Sequence, residues 1–308
     1  LLIAPITISL TKFLRLNAYP FLIMEILASN IGGTGTMVGD PPNVMIGSAV
    51  GLTFMDFVTN TGPIAMFVLL LCVPTLLLVF RKELKHEPFE KSLLDKLDPK
   101  KQIADWRLFH ISLTVLVLTV FGFAIHNLIG FETATIALTG AIAMMVFTGE
   151  TPEEALSGVD WSTIFFFIGL FVLVGGIEAT GVIGWVAKWA VEQTQGNIEM
   201  TSSLILWISA LASAFVDNIP FTATMIPIIK EMENVMGLDP NVLWWSLSIG
   251  ACYGGNGTII GSSPGVIIAA LAAQNGYDMS FKKYFIVGFP MMLFTVFVGQ
   301  VYIWLRYF

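Results

Sequence analysis

The chain has 308 residues, of which 56% are hydrophobic and 12% are charged, and its formal net charge is −7. A soluble domain usually carries charges at about 25% of its positions, so this composition excludes an ordinary soluble protein and indicates a membrane protein. Acidic residues interleave with the basic ones in the most charged segment, 81–107, which excludes nucleic acid as a partner.

Apolar segments follow one another along the chain at nearly the length that a helix needs to cross a bilayer, about 20 residues. In chain order, the clearest are 64–80, 108–123, 133–147, 161–174 and 285–305. The sequence therefore predicts an all-α integral membrane protein that crosses the membrane several times. We expect it in the cell membrane, with the lipid bilayer as a partner.

A charged linker at 81–107 separates the first of these segments from the others. Lys and Arg are concentrated in it, and both are enriched in cytoplasmic loops, so we predict that the linker 81–107 is cytoplasmic. The linker divides the chain into a first part, 1–80, and a last part, 108–308.

The two parts share a pattern that appears when the sequence is shifted by 222 positions. Segment 31–47 reads IGGTGTMVGDPPNVMIG and segment 253–269 reads YGGNGTIIGSSPGVIIA, with eight of seventeen positions identical. Repeated halves are typical of secondary transporters. We interpret 1–80 as the C-terminal part of a first repeat and 108–308 as a second repeat. Each half has an odd number of predicted crossings, so the repeats should be inverted.

A re-entrant hairpin is predicted in the second repeat around the sequence Asp217-Asn218-Ile219-Pro220. Its apolar arms, 202–216 and 221–229, are each shorter than a bilayer crossing. The same shift makes 1–16 the returning arm of a first hairpin. We therefore expect that the first repeat is truncated in this chain, and that an Asp-Asn or similar polar pair is encoded just upstream.

Two segments rich in glycine and proline, 30–43 and 252–264, interrupt apolar crossings at matching places in the two repeats. Glycine weakens a helix and proline removes a backbone donor, so both segments are predicted to be breaks. The free carbonyl groups of unwound backbone can coordinate a cation, and the N–H groups that begin the next half-helix can bind an anion. Paired breaks therefore predict the binding site of a transporter.

The candidate substrate- and ion-binding residues lie in these breaks and around the hairpin tip. They are Asn30, Gly33, Thr34, Thr36, Asp40, Asn43, Asp217, Asn218, Thr222, Asn256, Thr258 and Ser262. Glu25, shortly before the first break, is a further candidate for the coupling carboxylate. We predict no cofactor and no metal beyond Na⁺ or H⁺ as the coupling ion.

The carboxylates admit two interpretations each. Asp40 precedes two prolines, as Ser263 precedes Pro264, so both residues fit the N-cap of a helix, while Asp40 also fits an ion ligand. Asp217 can stabilise a turn with its side chain, or it can bind a coupling cation, because a carboxylate at membrane depth is costly and usually functional.

The motifs Asn30-Ile-Gly-Gly-Thr-Gly-Thr and Gly39-Asp-Pro-Pro-Asn43, together with the segment that begins Asp217-Asn-Ile-Pro, resemble the ion transporter superfamily. The nearest group contains arsenite pumps, sodium/proton antiporters and the pink-eyed-dilution (P) protein, with a citrate-transporter-like domain. The resemblance implies a scaffold that usually forms a homodimer and a mobile transport part with elevator-like alternating access. The dicarboxylate branch carries Ser-Asn-Thr at its hairpin tips, and only Asn218 matches that motif here.

The sequence thus predicts a secondary active transporter that moves a small inorganic ion or anion, coupled to Na⁺ or H⁺. An ion channel of related fold and a citrate-like carboxylate symporter are the alternatives. An enzyme is not expected, because an intramembrane protease using Asp40 and Asp217 would need a Gly-x-Gly-Asp motif, and Met37 stands where its first glycine belongs.

Overall fold

The structure is a computed structural model that describes residues 3–14, 16–84, 105–159, 161–236 and 241–308. These residues form helices and connecting turns, without a strand among them, which confirms the all-α class. Most of the predicted linker, 85–104, lies outside the described residues.

Fifteen α-helices are described in these ranges, and we number them in chain order. They are α1 (Ile3–Phe13), α2 (Ala18–Gly33), α3 (Pro41–Val50), α4 (Phe54–Asn60), α5 (Gly62–Val79), α6 (Trp106–Ile129), α7 (Thr133–Thr148), α8 (Pro152–Ser157), α9 (Trp161–Ala179), α10 (Val182–Gln193), α11 (Ile198–Phe215), α12 (Asn218–Met236), α13 (Asn241–Gly254), α14 (Ser263–Gln274) and α15 (Phe281–Tyr307).

Five of these helices, α5, α6, α9, α11 and α15, are long and apolar enough to cross a membrane. Large apolar side chains on them point outward, and Leu70 and Val172 are 66% and 70% exposed. Exposed apolar surface on this scale is stable only against lipid or another apolar partner. The chain is therefore a multi-pass membrane protein, as the sequence predicts. The predicted crossing 133–147 is not among the five, because α7 has only 16 residues.

The described residues fall into two compact units. The larger draws on Leu1–Leu52, Asp56–Glu87 and Leu170–Phe308, and the smaller on Thr53–Met55 and Pro88–Gly169. These units cut across the predicted second repeat, 108–308, because residues 108–169 belong to the smaller one. The division into inverted repeats stays a prediction.

The smaller unit is built on the pair of helices α6 and α7. Gly122 lies against the side chain of Ile136, and Gly140 lies against Thr119. Small residues at such contacts let two helices approach closely inside a membrane. The short helix α8 then begins with a capping box, in which Thr151 and Glu154 exchange hydrogen bonds.

Helix α13 forms the core of the larger unit, and each of its residues from Val242 to Gly254 is buried. It packs mainly against α11, with Gly250 facing Leu206 and Gly254 facing Ala210. A Cβ at either glycine would lie 2.5 Å from a carbonyl oxygen of α11. The spacing of these two glycines therefore fixes how closely α11 and α13 pack.

The hairpin arms are longer than the sequence predicts. In place of 202–216 and 221–229, the structure has α11 with 18 residues and α12 with 19. The premise that each arm is shorter than a crossing is wrong, since α11 alone is long and apolar enough to span. The apolar sequence of the two arms is bounded by Glu199 and Lys230. Both residues nevertheless lie inside helices, because helical hydrogen bonding continues past polar side chains.

Both helix breaks are present but shorter than predicted. Helix α2 continues through Asn30 to Gly33, so the first break is 34–40. Helix α13 continues to Gly254, so the second break is 255–262 and contains a single 3₁₀ turn, Ile259–Gly261. The prediction that residues 30–33 and 252–254 leave the helix is wrong, because glycine only weakens a helix and packing outweighs that cost. Residues 41–43 and 263–264 are also helical, because proline in the first turn of a helix loses no hydrogen bond.

Candidate functional site

The last turn of α2 is tied to the second break. Asn30 is 2% exposed, and its Nδ2 donates hydrogen bonds to Asn256 Oδ1 and Ser262 Oγ, each at 2.9 Å. Asn256 and Ser262 are fully buried. A residue of the predicted first repeat thus reaches the unwound segment of the second.

The hairpin tip, formed by Asp217 and Asn218, contacts the first break, so each predicted repeat contacts the break of the other. Asn218 Nδ2 lies 3.3 Å from both carboxylate oxygens of Asp40. Under the 222-residue shift, Asp40 corresponds to Ser262. Each break is therefore contacted at the same position by an asparagine of the other predicted repeat.

Both contacted residues occupy N-cap positions without capping their helices. Asp40 precedes α3 and Ser262 precedes α14, and neither side chain accepts a hydrogen bond from its own helix. The sequence placed the second cap at Ser263, which is instead the first residue of α14. The side chains of Asp40 and Ser262 are thus available to partners outside their own helices.

Asp217 makes the contact expected of a turn residue. It is half-buried, and its Oδ1 accepts the backbone N–H of Ile219 at 3.0 Å. Asn218 continues the tip into α12, where Thr222 Oγ1 donates to the carbonyl oxygen of Asn218 at 2.7 Å. Asp217 keeps one carboxylate oxygen beyond this turn bond, so ion binding by Asp217 stays a prediction.

The first break is closed from within by Asn43, which is fully buried. Its Nδ2 lies 3.3, 3.1 and 2.9 Å from the carbonyl oxygens of Gly33, Thr34 and Thr36. Its Oδ1 accepts a hydrogen bond from Ser248 Oγ of α13 at 2.6 Å. Asn43 thereby joins the unwound segment to the core helix.

The remaining predicted threonines bond to nearby backbone. Thr34 Oγ1 donates to the carbonyl oxygen of Asn30 at 2.9 Å, and Thr258 Oγ1 donates to that of Ala214 at 2.5 Å. Gly33 is required by close approach, because a Cβ there would lie 2.8 Å from the carbonyl oxygen of Gly39. These contacts hold the shape of the two breaks.

Glu25 lies apart from this cluster. It is half-buried and accepts a hydrogen bond from Thr7 Oγ1. It lines a cavity of about 750 Å³ between α1, α2 and α14, which Ser29 and Ser263 also line. Because these two serines are the chain neighbours of Asn30 and Ser262, the cavity extends to the residues beside the Asn30–Ser262 contact.

Three further polar residues of the site escape the sequence reasoning. Ser248 bonds to Asn43, Cys252 Sγ lies 3.7 Å from Asn43 Oδ1, and Tyr284 Oη donates to the carbonyl oxygen of Asn256 at 3.1 Å. Cys252 opens the predicted second break and could have been included on that ground. Ser248 lies inside a regular helix and Tyr284 on α15, and no local pattern marks either of them.

These features define a class: a multi-pass helical membrane transport protein whose polar centre is formed by two broken helices and a hairpin tip. A family profile described as "Citrate transporter" matches residues 1–250. The chain belongs to the citrate transporter family, and the resemblance to the ion transporter superfamily is thereby confirmed.

Curated relatives agree with this assignment. An "Uncharacterized transporter" of Mycobacterium bovis is 39% identical over 310 residues, which cover all of this chain and 72% of the relative. The "46 kDa membrane protein" of Mycobacterium leprae is 35% identical over the same shares. The "P protein" of Homo sapiens is 33% identical over 386 residues, covering 98% of this chain and 46% of that protein.

Proposed function

We propose that the protein is a secondary active transporter that moves a small inorganic ion or anion, coupled to Na⁺ or H⁺. The observation that carries this proposal is the carboxylate of Asp40, which is 8% exposed and contacts the amide of Asn218. Among the residues that the structure describes, no basic side chain forms an ion pair with it.

A buried carboxylate without a counter-charge is costly, so it must take up either a proton or a cation. Asp40 lies where the first break meets the hairpin tip, two elements of the mobile transport part whose contact can respond to the ion bound there. Uptake of the ion can therefore stabilise the contact between them, and release can loosen it. This dependence is what coupling requires, because a ligand shifts a conformational equilibrium only through different affinities for its two states.

The same centre has groups suited to an anion. Helices α3 and α14 both begin at the breaks, without a side-chain cap, and a helix N-terminus carries partial positive charge. Half-helix ends of this kind face anionic substrate groups in transporters with broken helices. Because Asp40 stands at the start of α3, where Pro41 and Pro42 carry no N–H, we assign the coupling ion to Asp40 and the substrate to the N-terminus of α14.

The two alternatives keep specific support. The family description favours a citrate-like carboxylate symporter, whereas the tip sequence Asp217-Asn218-Ile219 matches the dicarboxylate motif only at Asn218. A channel of related fold would use the same buried polar groups without coupling. We further propose the homodimer and elevator-like movement that the resemblance implies, and α9 offers apolar surface for a partner copy, since only Val174 of its residues is buried.

Uptake into proteoliposomes tests the proposed function. We expect one of four labelled ions, arsenite, chloride, citrate or Na⁺, to accumulate above equilibrium only when a Na⁺ or pH gradient is imposed, inward for symport or outward for antiport, with a rate that saturates. Empty liposomes are the control. Flux that never saturates and never runs against its own gradient would instead assign a channel.

A further inference from the structure

The two breaks have matching sequences but are closed by different means. In the first, the Asn43 amide faces three backbone carbonyl oxygens at 2.9 to 3.3 Å. An amide nitrogen has only two hydrogens, so it can form full hydrogen bonds to two of these three oxygens. Convergent backbone carbonyls of this kind are the ligands that unwound helices offer to a cation.

The second break has no counterpart of this side chain. The 222-residue shift places Gly265 opposite Asn43, and a Cβ at Gly265 would collide with the backbone of Ile259. The second break also leaves a polar group open, because Asn256 Nδ2 is buried without a hydrogen-bond partner in the described part of the chain. Buried polar groups are nearly always paired, so this atom marks a place for a ligand.

We infer that Asn43 is a positioning residue. Its amide group fills the cluster of carbonyl oxygens in the first break and clamps that break to α13. For this reason the cluster binds no ion. The statement about the ion rests on the proposed function. It leaves the coupling ion and the substrate to Asp40, Asn218 and the second break. The clamp itself follows from the contacts of Asn43 with Thr34, Thr36 and Ser248.

A pair of substitutions at Asn43 separates this role from simple packing. Asn43→Asp and Asn43→Leu keep the branching and the number of side-chain heavy atoms of asparagine, and both remove the amide donor. In Asn43→Asp, an oxygen then faces three carbonyl oxygens, and a bound cation reconciles the four once the pH is high enough to keep the new carboxyl group ionised. We expect the midpoint of thermal unfolding of purified Asn43→Asp to rise by about 5 °C more than that of the wild type when NaCl replaces choline chloride at mildly alkaline pH.

Asn43→Leu should show no more Na⁺ dependence than the wild type, because it offers no fourth oxygen. Equal responses to Na⁺ in Asn43→Asp and Asn43→Leu would overturn the inference that the amide fills a cation-shaped cluster. This readout requires no substrate and no transport, so failure of the proposed function would leave it interpretable.

Two serines on α13 provide a milder test that preserves Asn43 itself. Both are fully buried, but Ser248 Oγ donates to Asn43 Oδ1, whereas Ser246 Oγ donates to the carbonyl oxygen of Val242 in its own helix. Ser248→Ala removes the shorter of the two contacts by which α13 holds Asn43 Oδ1 and leaves the 3.7 Å contact with Cys252, whereas Ser246→Ala removes a serine hydrogen bond that does not involve the clamp.

Modification of Cys252 by a small methanethiosulfonate reagent reports the state of the clamp, because Cys252 is fully buried and contacts Asn43. In a Cys72→Ala background we expect labelling about tenfold faster in Ser248→Ala than in Ser246→Ala, because loss of the strong hydrogen bond to a buried acceptor changes an equilibrium by about that factor. Ser246→Ala should label as slowly as the parent. Equal rates in the two serine variants would overturn the clamp.

Discussion

Asp40→Asn is expected to abolish ion-driven transport while leaving a folded protein in the membrane. Asparagine has the same shape, and its Oδ1 can still accept a hydrogen bond from Asn218 Nδ2, which now lies 3.3 Å from both Asp40 oxygens. What disappears is the negative charge to which we assign the coupling ion. We expect gradient-driven uptake to fall at least about 100-fold, equivalent to roughly 2.7 kcal/mol.

Asp217→Asn is the matched comparison, because the new side chain can still accept the N–H of Ile219 that stabilises the tip. If Asp40 is the main coupling carboxylate, Asp217→Asn should lose less than Asp40→Asn in the same uptake assay. Equal losses would give both carboxylates a part in ion binding, as the sequence hypothesis for Asp217 requires. Full coupled transport by Asp40→Asn would remove Asp40 from the mechanism.

Gly254→Val is expected to prevent stable folding of the larger unit. A Cβ at this position would lie 2.5 Å from the carbonyl oxygen and 2.7 Å from the Cα of Ala210 on α11. Overpacking a core typically costs about 1–3 kcal/mol, and a clash with backbone that cannot rotate away belongs at or above the upper end. We expect a large loss of monodisperse protein in detergent size-exclusion chromatography, and a lower unfolding temperature in what remains.

Gly176→Val is the control for this substitution. Gly176 also lies inside a helix, α9, but its Cβ would meet open space. Both variants therefore replace a glycine by valine inside a helix, one in the packed core and the other on an exposed face. Similar yields and similar unfolding temperatures would show that the contact between α11 and α13 is less tight than the structure indicates.

The sequence predicts the large features of the fold because they follow from composition and local patterns. Four of the five membrane-length helices, the two breaks and the turn at Asp217 all leave a signal within about 20 residues of chain. The ends of the elements are less predictable. Residues such as Asn30 remain helical because their neighbours are buried in the folded protein, and a local pattern does not contain that information.

The partners of the site residues could not be read from the sequence for a related reason. Asn30 with Ser262 and Asn218 with Asp40 are separated by 232 and 178 residues, and the repeat alone does not say which break each asparagine reaches. Asn43 shows that a local pattern can mark a residue without revealing its contacts. Its position beside the prolines suggests a ligand, whereas its actual bonds are to the break itself and to Ser248.

The contacts between the two predicted repeats also determine when each break can be completed during synthesis of the protein. A ribosome releases Asp40 long before Asn218, so the first break enters the membrane without the residue that will contact its carboxylate. Asn30 likewise waits for Asn256 and Ser262, which are synthesised later still. Neither set of contacts can form until most of the chain has been synthesised, so the polar centre is completed late in the assembly of the molecule.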